Sequence, residues 1–87
     1  MGDKKKMLIY LEPIYDSRKS FYSKAKVLIE GNKKILISYN TKVAEIENDK
    51  AKIFGFYSHT TMRHIKEFLK QNGFKVENKK QMIKDYM

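Results

Sequence analysis

The chain has no cysteine, no tryptophan, one proline and four glycines. Without thiols, neither a disulfide nor a thiolate metal site can support the fold, so stability must come from packing. No apolar run approaches the length needed to cross a bilayer. The segment Met7 to Leu11 is soon broken by Glu12 and Pro13, which is too short for a secretory signal, and Gly2 lacks the Ser/Thr context of myristoylation. These absences predict a cytoplasmic protein without a membrane partner. Acidic residues are also scarce: 10 Asp and Glu stand against 19 Lys and Arg, a formal net charge of +9. A surface of that sign attracts polyanions, although a lysine excess also serves solubility.

What is present suffices for a small packed domain. Six Tyr and five Phe supply apolar bulk. A chain of 87 residues makes one domain, expected over 1–87 with a disordered basic start at 1–6. So short a chain leaves little room for a deep active-site cleft. A binding module is therefore expected rather than an enzyme, with no cofactor.

Period-two patterning predicts strands. Met7 to Glu12 is rich in Leu, Ile and Tyr and stops at Pro13. Residues 14–22 read as a polar connection, mobile or short-helical. Over residues 23–30, Ala25, Val27 and Ile29 fall on one face and Lys24, Lys26 and Glu30 on the other. Gly31-Asn32 marks a turn. A two-residue loop there would pair Ile29 with Lys34 and mix the faces, so an odd loop pairing Ile29 with Ile35 and Val27 with Ile37 is expected. Asn48-Asp49 gives the opposite result: a two-residue loop opposes Glu47 to Lys50, Glu45 to Lys52, Ile46 to Ala51 and Ala44 to Ile53, so charge meets charge and apolar meets apolar. Between these turns, Ser38 to Thr41 holds no Gly or Pro and reads as a bent or bulged stretch of one strand over about 34–47. Lys50 to Tyr57 completes the meander, with Ile53, Phe54 and Phe56 as bulk.

Residues 57–74, YSHTTMRHIKEFLKQNGF, read as one helix with both ends marked. Met62, Ile65, Phe68 and Leu69 share a stripe; Arg63, Lys66 and Lys70 lie opposite. Gly73 and Phe74 have the form of a Schellman exit, with Phe74 touching Leu69. A second short helix within 77–87 would bury Met82, Ile83 and Tyr86. The fold class is thus α+β: an antiparallel meander of three to four strands packed by one main helix, with a short C-terminal helix.

Candidate sites follow from the same residues. Ser58, Thr60 and Thr61 are N-cap types, and a helix start presents unpaired N–H groups and partial positive charge. With His59, Arg63, His64 and Lys66 around the same turn, and Tyr57 preceding it, this entry is a candidate phosphate or carboxylate site, although helix capping alone also explains a hydroxyl there. Tyr39, Asn40 and Thr41 would join it if the strand bends toward the helix. Arg18, Lys19, Lys24 and Lys26, interleaved with Tyr15, Phe21 and Tyr22, form a candidate nucleic-acid surface of cations for phosphates and rings for bases. No RNP, KH or helix-turn-helix signature accompanies them. His59 and His64 are five residues apart, which keeps them off one helical face and argues against a metal site; His64 flanks the apolar stripe and is expected to bond locally at the helix–sheet seam. Ribonuclease chemistry would require His59, His64, Arg63 and Tyr57 to converge on one phosphate.

The runs SYNTKVA and YSHTTMRHIKEFLKQNG resemble a small uncharacterised domain found in phage and mobile-element proteins of Gram-positive bacteria. The similarity spans about residues 35–74 and rests chiefly on Tyr57, Ser58, Thr60, Thr61, Arg63, His64, Glu67, Phe68, Gln71 and Gly73. It implies a setting, the cytoplasm of an infected host, and no chemistry. The expected function is that of a non-enzymatic phage accessory protein engaging nucleic acid, a host nucleoprotein complex or a phosphorylated ligand. The alternatives are an anti-CRISPR-like inhibitor contacting a host defence protein and a small ribonuclease; the oligomeric state is open.

Overall fold

Two-residue turns set the architecture. In the computed structural model, which describes residues 6–87, Asn48 and Asp49 have φ of 52° and 62° and Tyr39 and Asn40 have φ of 50° and 70°. Positive φ at both central positions is the type I′ geometry whose twist matches paired strands. Five strands result: β1 Lys6–Tyr10, β2 Ala25–Glu30, β3 Lys33–Ser38, β4 Thr41–Glu47 and β5 Lys50–Ile53. They form one antiparallel sheet in the order β1-β2-β3-β4-β5. Helix α1, His59–Gln71, packs on one face, and α2, Lys79–Tyr86, follows it. The basic start expected over residues 1–6 lies outside the described residues, apart from Lys6, which opens β1.

The β4–β5 register matches the charge pairing read from the sequence, Glu47 to Lys50 and Glu45 to Lys52. Three other expectations are corrected. The sheet has five strands rather than three or four. The 34–47 segment is two strands, because Tyr39-Asn40 reverses the chain without glycine; Asn tolerates the left-handed region, and Tyr39 is held there by its N–H on Lys24 O at 3.0 Å. A bulge does occur nearby, with a register shift between Leu36 and Ile37. The β2–β3 loop is the two-residue Gly31-Asn32, with Gly31 at φ 62°, so Ile29 does oppose Lys34. The sheet accommodates Lys34 on its helix-facing side because the ammonium reaches past the core to Asn72 Oδ1 at 2.6 Å, at the C-terminal end of α1 where a cation is favoured.

The helix-facing side carries the row Val27, Leu36, Ala44 and Ile53, all buried, under Ile65, Phe68 and Leu69. The outer side carries a row alternating in sign across all five strands, Lys6, Glu30, Lys33, Glu47 and Lys50. Lys6 and Glu30 approach to 3.6 Å and Lys33 and Glu47 to 4.0 Å. Each exposed pair is worth little, but a one-residue slip would place this whole row on the core side, so it specifies register. Phe54 and Phe56, expected as bulk for the core, are instead exposed, while Ile53 is buried.

Both ends of α1 follow the local sequence. Ser58 is the N-cap, its Oγ accepting from Thr61 N at 3.3 Å. Phe74 N donates to Leu69 O and Gly73 N to Lys70 O, with Gly73 at φ 84°, which is the Schellman exit. Helix α2 buries Met82 and packs Tyr86 edge-on against Phe74.

Candidate functional site

The residues grouped at the helix entry separate into an inner and an outer set. Thr61 and His64 point inward. Ser38 Oγ lies 3.0 Å from Thr61 Oγ1 and 2.8 Å from His64 Nδ1, and all three side chains are buried. The imidazole is covered by Phe21, with ring centroids 4.6 Å apart, and by Tyr39 at 5.7 Å. Burial pushes the His64 pKa below the ordinary imidazole value of 6.5, opposed by the nearby Asp16 carboxylate. A neutral imidazole accepting from Ser38, which in turn accepts from Thr61, satisfies both of these buried hydroxyls. His64 thus bonds at the helix–sheet seam as expected. It is unavailable to an external phosphate, which removes it and Thr61 from the anion site and separates it from His59 for ribonuclease chemistry. Phe21, expected among exposed stacking rings, is part of this buried cluster. Tyr39 and Asn40 form the β3–β4 turn and Thr41 opens β4; of the three, Tyr39 meets the helix, at the His64 ring, while Asn40 and Thr41 are exposed.

The outer set is Ser58, His59 and Thr60, all exposed, with Arg63 and Lys66 half-buried on the next turn. Arg63 does not point freely into solvent. Its Nη1 lies 3.1 Å from Asp16 Oδ1, and Asp16 Oδ1 also accepts from Arg18 N at 2.9 Å. The 14–22 connection, expected to be mobile or short-helical, is held on α1 by a side chain to which the sequence assigned no role. Glu67 is buried, and its carboxylate accepts from the backbone N–H groups of Ile14, Tyr15 and Asp16 at 2.9 to 3.2 Å and from Gln71 Nε2 at 2.6 Å. Gln71 also donates to Glu12 O at 2.8 Å. A carboxylate meeting three consecutive N–H groups satisfies donors that a loop without secondary structure would otherwise leave bare. The only sequence signal for it was an acidic residue inside the span Ile65 to Leu69 that is otherwise largely apolar.

This anchoring creates a cleft of about 300 Å³ between α1 and the start of α2, lined by Asp16, His59, Met62, Arg63, Lys66 and Lys79. Lys79 was not foreseen, because only the tertiary fold brings the second helix start beside the first. A shallower depression continues along α1 past Tyr15 and Lys70, whose Nζ lies 5.8 Å from the centre of the Tyr15 ring. Tyr15 and Tyr22 are exposed. Arg18, Lys19 and Lys24 are exposed on the connection, whereas Lys26 is half-buried on the outer face of the sheet in register with Tyr10 and Ile37. A larger depression of about 480 Å³ lies at the β4–β5 hairpin, with Glu45, Glu47, Lys50, Lys52 and Asp85 mixing both signs. Among the described residues no helix is long and apolar enough to cross a membrane, and no group of three His, Cys, Asp or Glu side chains is arranged to hold a metal ion.

No curated protein and no solved structure matches the chain. A family model matches residues 9–85, a span that includes all five elements from β2 to α1, the end of β1 and most of α2, so the chain belongs to DUF8033, a family of unknown function.

Proposed function

We propose that this protein is a non-enzymatic binding module whose ligand is the phosphate backbone of a nucleic acid, engaged through the cleft between α1 and α2. The observation that carries the reading is the convergence of Arg63, Lys66 and Lys79, with His59, on one concave surface. Two helices contribute to it, and Tyr15 adds an exposed ring at its end. Cations spaced along a groove with a ring beside them suit single-stranded RNA or DNA, where phosphates meet ammonium groups and bases stack without sequence preference. Asp16 offsets part of the charge and orients Arg63. The setting proposed with this function is a phage accessory protein in the host cytoplasm, on the resemblance of SYNTKVA and YSHTTMRHIKEFLKQNG.

The test is fluorescence anisotropy with labelled single-stranded RNA and DNA of mixed sequence over a salt series. Affinity should fall linearly on a log–log plot, and Lys66→Ala and Lys79→Ala should each weaken it with the fold retained. Absence of binding at low salt would remove this reading in favour of a protein inhibitor of a host defence nuclease, which exposed apolar residues on β1 favour. Cleavage of the labelled RNA would establish the ribonuclease alternative.

A further inference from the structure

β1 is the edge of the sheet, and no described strand covers its outer side. All five of its residues are exposed, with Met7 at 58%, Leu8 at 55%, Ile9 at 42% and Tyr10 at 57%. Natural edges are ordinarily blunted by charge, proline or a bulge. Here Lys6 is the only charged residue in the strand, Pro13 lies beyond it, and the β1–β2 pairing is regular. Helix α1 leaves this strand bare on the side where Met7 and Ile9 stand in register with Ile29 and Val27.

Backbone parity decides which groups are free. Leu11 N donates to Ala25 O at 2.9 Å, toward β2. In an antiparallel ladder both polar groups of one residue point to the same side and alternate along the strand. Ile9 and Met7 therefore also point toward β2, and Lys6, Leu8 and Tyr10 present their N–H and C=O groups outward, unpaired by any described strand.

We propose that β1 pairs antiparallel with β1 of a second copy of this chain about a two-fold axis at Ile9, joining two sheets into one. Ile9 then opposes Ile9, Leu8 opposes Tyr10 with exchange of the outward backbone hydrogen bonds, and Lys6 comes opposite Glu12 of the second copy. Charge selects this register over its neighbour. A two-fold axis at Leu8 would set Lys6 against the uncharged Tyr10, whereas the axis at Ile9 sets Lys6 against Glu12 on both sides of the symmetric contact. The same residues serve both partners, so the occupant is specified by the edge itself. This surface lies apart from the α1–α2 cleft, and the inference is independent of the proposed ligand.

Sedimentation equilibrium of the full chain across a concentration series, without nucleic acid, tests the pairing. The expected result is a concentration-dependent shift to twice the protomer mass. Leu8→Pro removes only an outward-pointing N–H, a position where an edge strand accepts proline, so it should yield a monomer with an unchanged circular dichroism spectrum. Lys6→Glu should weaken the dimer, and Lys6→Glu combined with Glu12→Lys should restore it. A wild-type monomer at every concentration, a dimer that survives Leu8→Pro, or a double variant no better than Lys6→Glu alone would overturn the proposal. Should Leu8→Pro unfold, the charge-reversal pair decides by itself.

Discussion

Glu67 Oε1 accepts the backbone N–H of Asp16 at 3.0 Å across 51 residues of sequence, and the side chain of the same Asp16 holds Arg63 at 3.1 Å. One loop residue thus touches two successive turns of α1, giving its N–H to one and its carboxylate to the other. The connection that precedes β2 is thereby fixed against the helix, and the basic cleft acquires a wall.

Replacing the buried carboxylate should show how much of the fold depends on it. Glu67→Gln keeps the shape but turns an amide N–H₂ toward backbone donors, and hydrogen bonds to a charged group are worth about 1.5 to 3 kcal/mol. The expected outcome is a loss of about 2 kcal/mol in chemical denaturation, with faster amide exchange at Ile14, Tyr15 and Asp16. Unchanged exchange at those three amides would rule out the anchor.

Arg63 and its neighbours separate stability from binding. The sequence alone suggested that Arg63 contributes little to folding; its pairing with Asp16 revises this. Because the Arg63 side chain is 42% exposed, Arg63→Ala should cost no more than about 1 kcal/mol. Lys66 and Lys79 make no ion pair among the described residues, so Lys66→Ala and Lys79→Ala should leave the melting temperature unchanged. Each should reduce the slope of log affinity against log salt by about one if it meets a phosphate.

His64 should make stability depend on pH. Burial lowers its pKa in the folded protein, so between that value and the unfolded value near 6.5 the unfolded chain binds more protons. Stability then rises with pH through this window and falls on acidification below about 6.5. Melting temperatures of the wild type and His64→Gln from neutral to mildly acidic pH give the check: the wild type should lose more than the variant, and parallel profiles would dismiss the contribution.

Gly73→Ala isolates a purely conformational cost. Gly73 has φ 84°, and an added Cβ would meet nothing within 4 Å. The loss of about 1 kcal/mol therefore comes from holding a β-carbon in the left-handed region, with no clash to relieve. Thermal melting measures it directly. Ser58→Ala, which removes the α1 cap, should cost a similar amount, about 1 kcal/mol.

Local chemistry was legible in the amino-acid sequence. The β4–β5 register could be read because Glu47, Lys50, Glu45 and Lys52 meet across a turn of only two residues, and the apolar stripe and exit of α1 because helical neighbours lie three to five positions apart. The α+β class followed from those periodicities. Strand count and the β2–β3 register were misjudged where a distant partner decided the matter. Lys34 belongs on the helix side only because Asn72, 38 residues away, receives it, and Tyr39 tolerates its turn beside His64. The site was divided in the same way. His59, Arg63 and Lys66 were visible as one polar turn, but whether each faced solvent, a carboxylate or the core depended on Asp16, Ser38 and Phe21, which packing brings from other elements. Lys79 joined them through the placement of α2. Sequence proximity determines which backbone conformations and neighbouring pairs are favourable; only the closed tertiary fold determines which polar groups lose water and must find partners far along the chain.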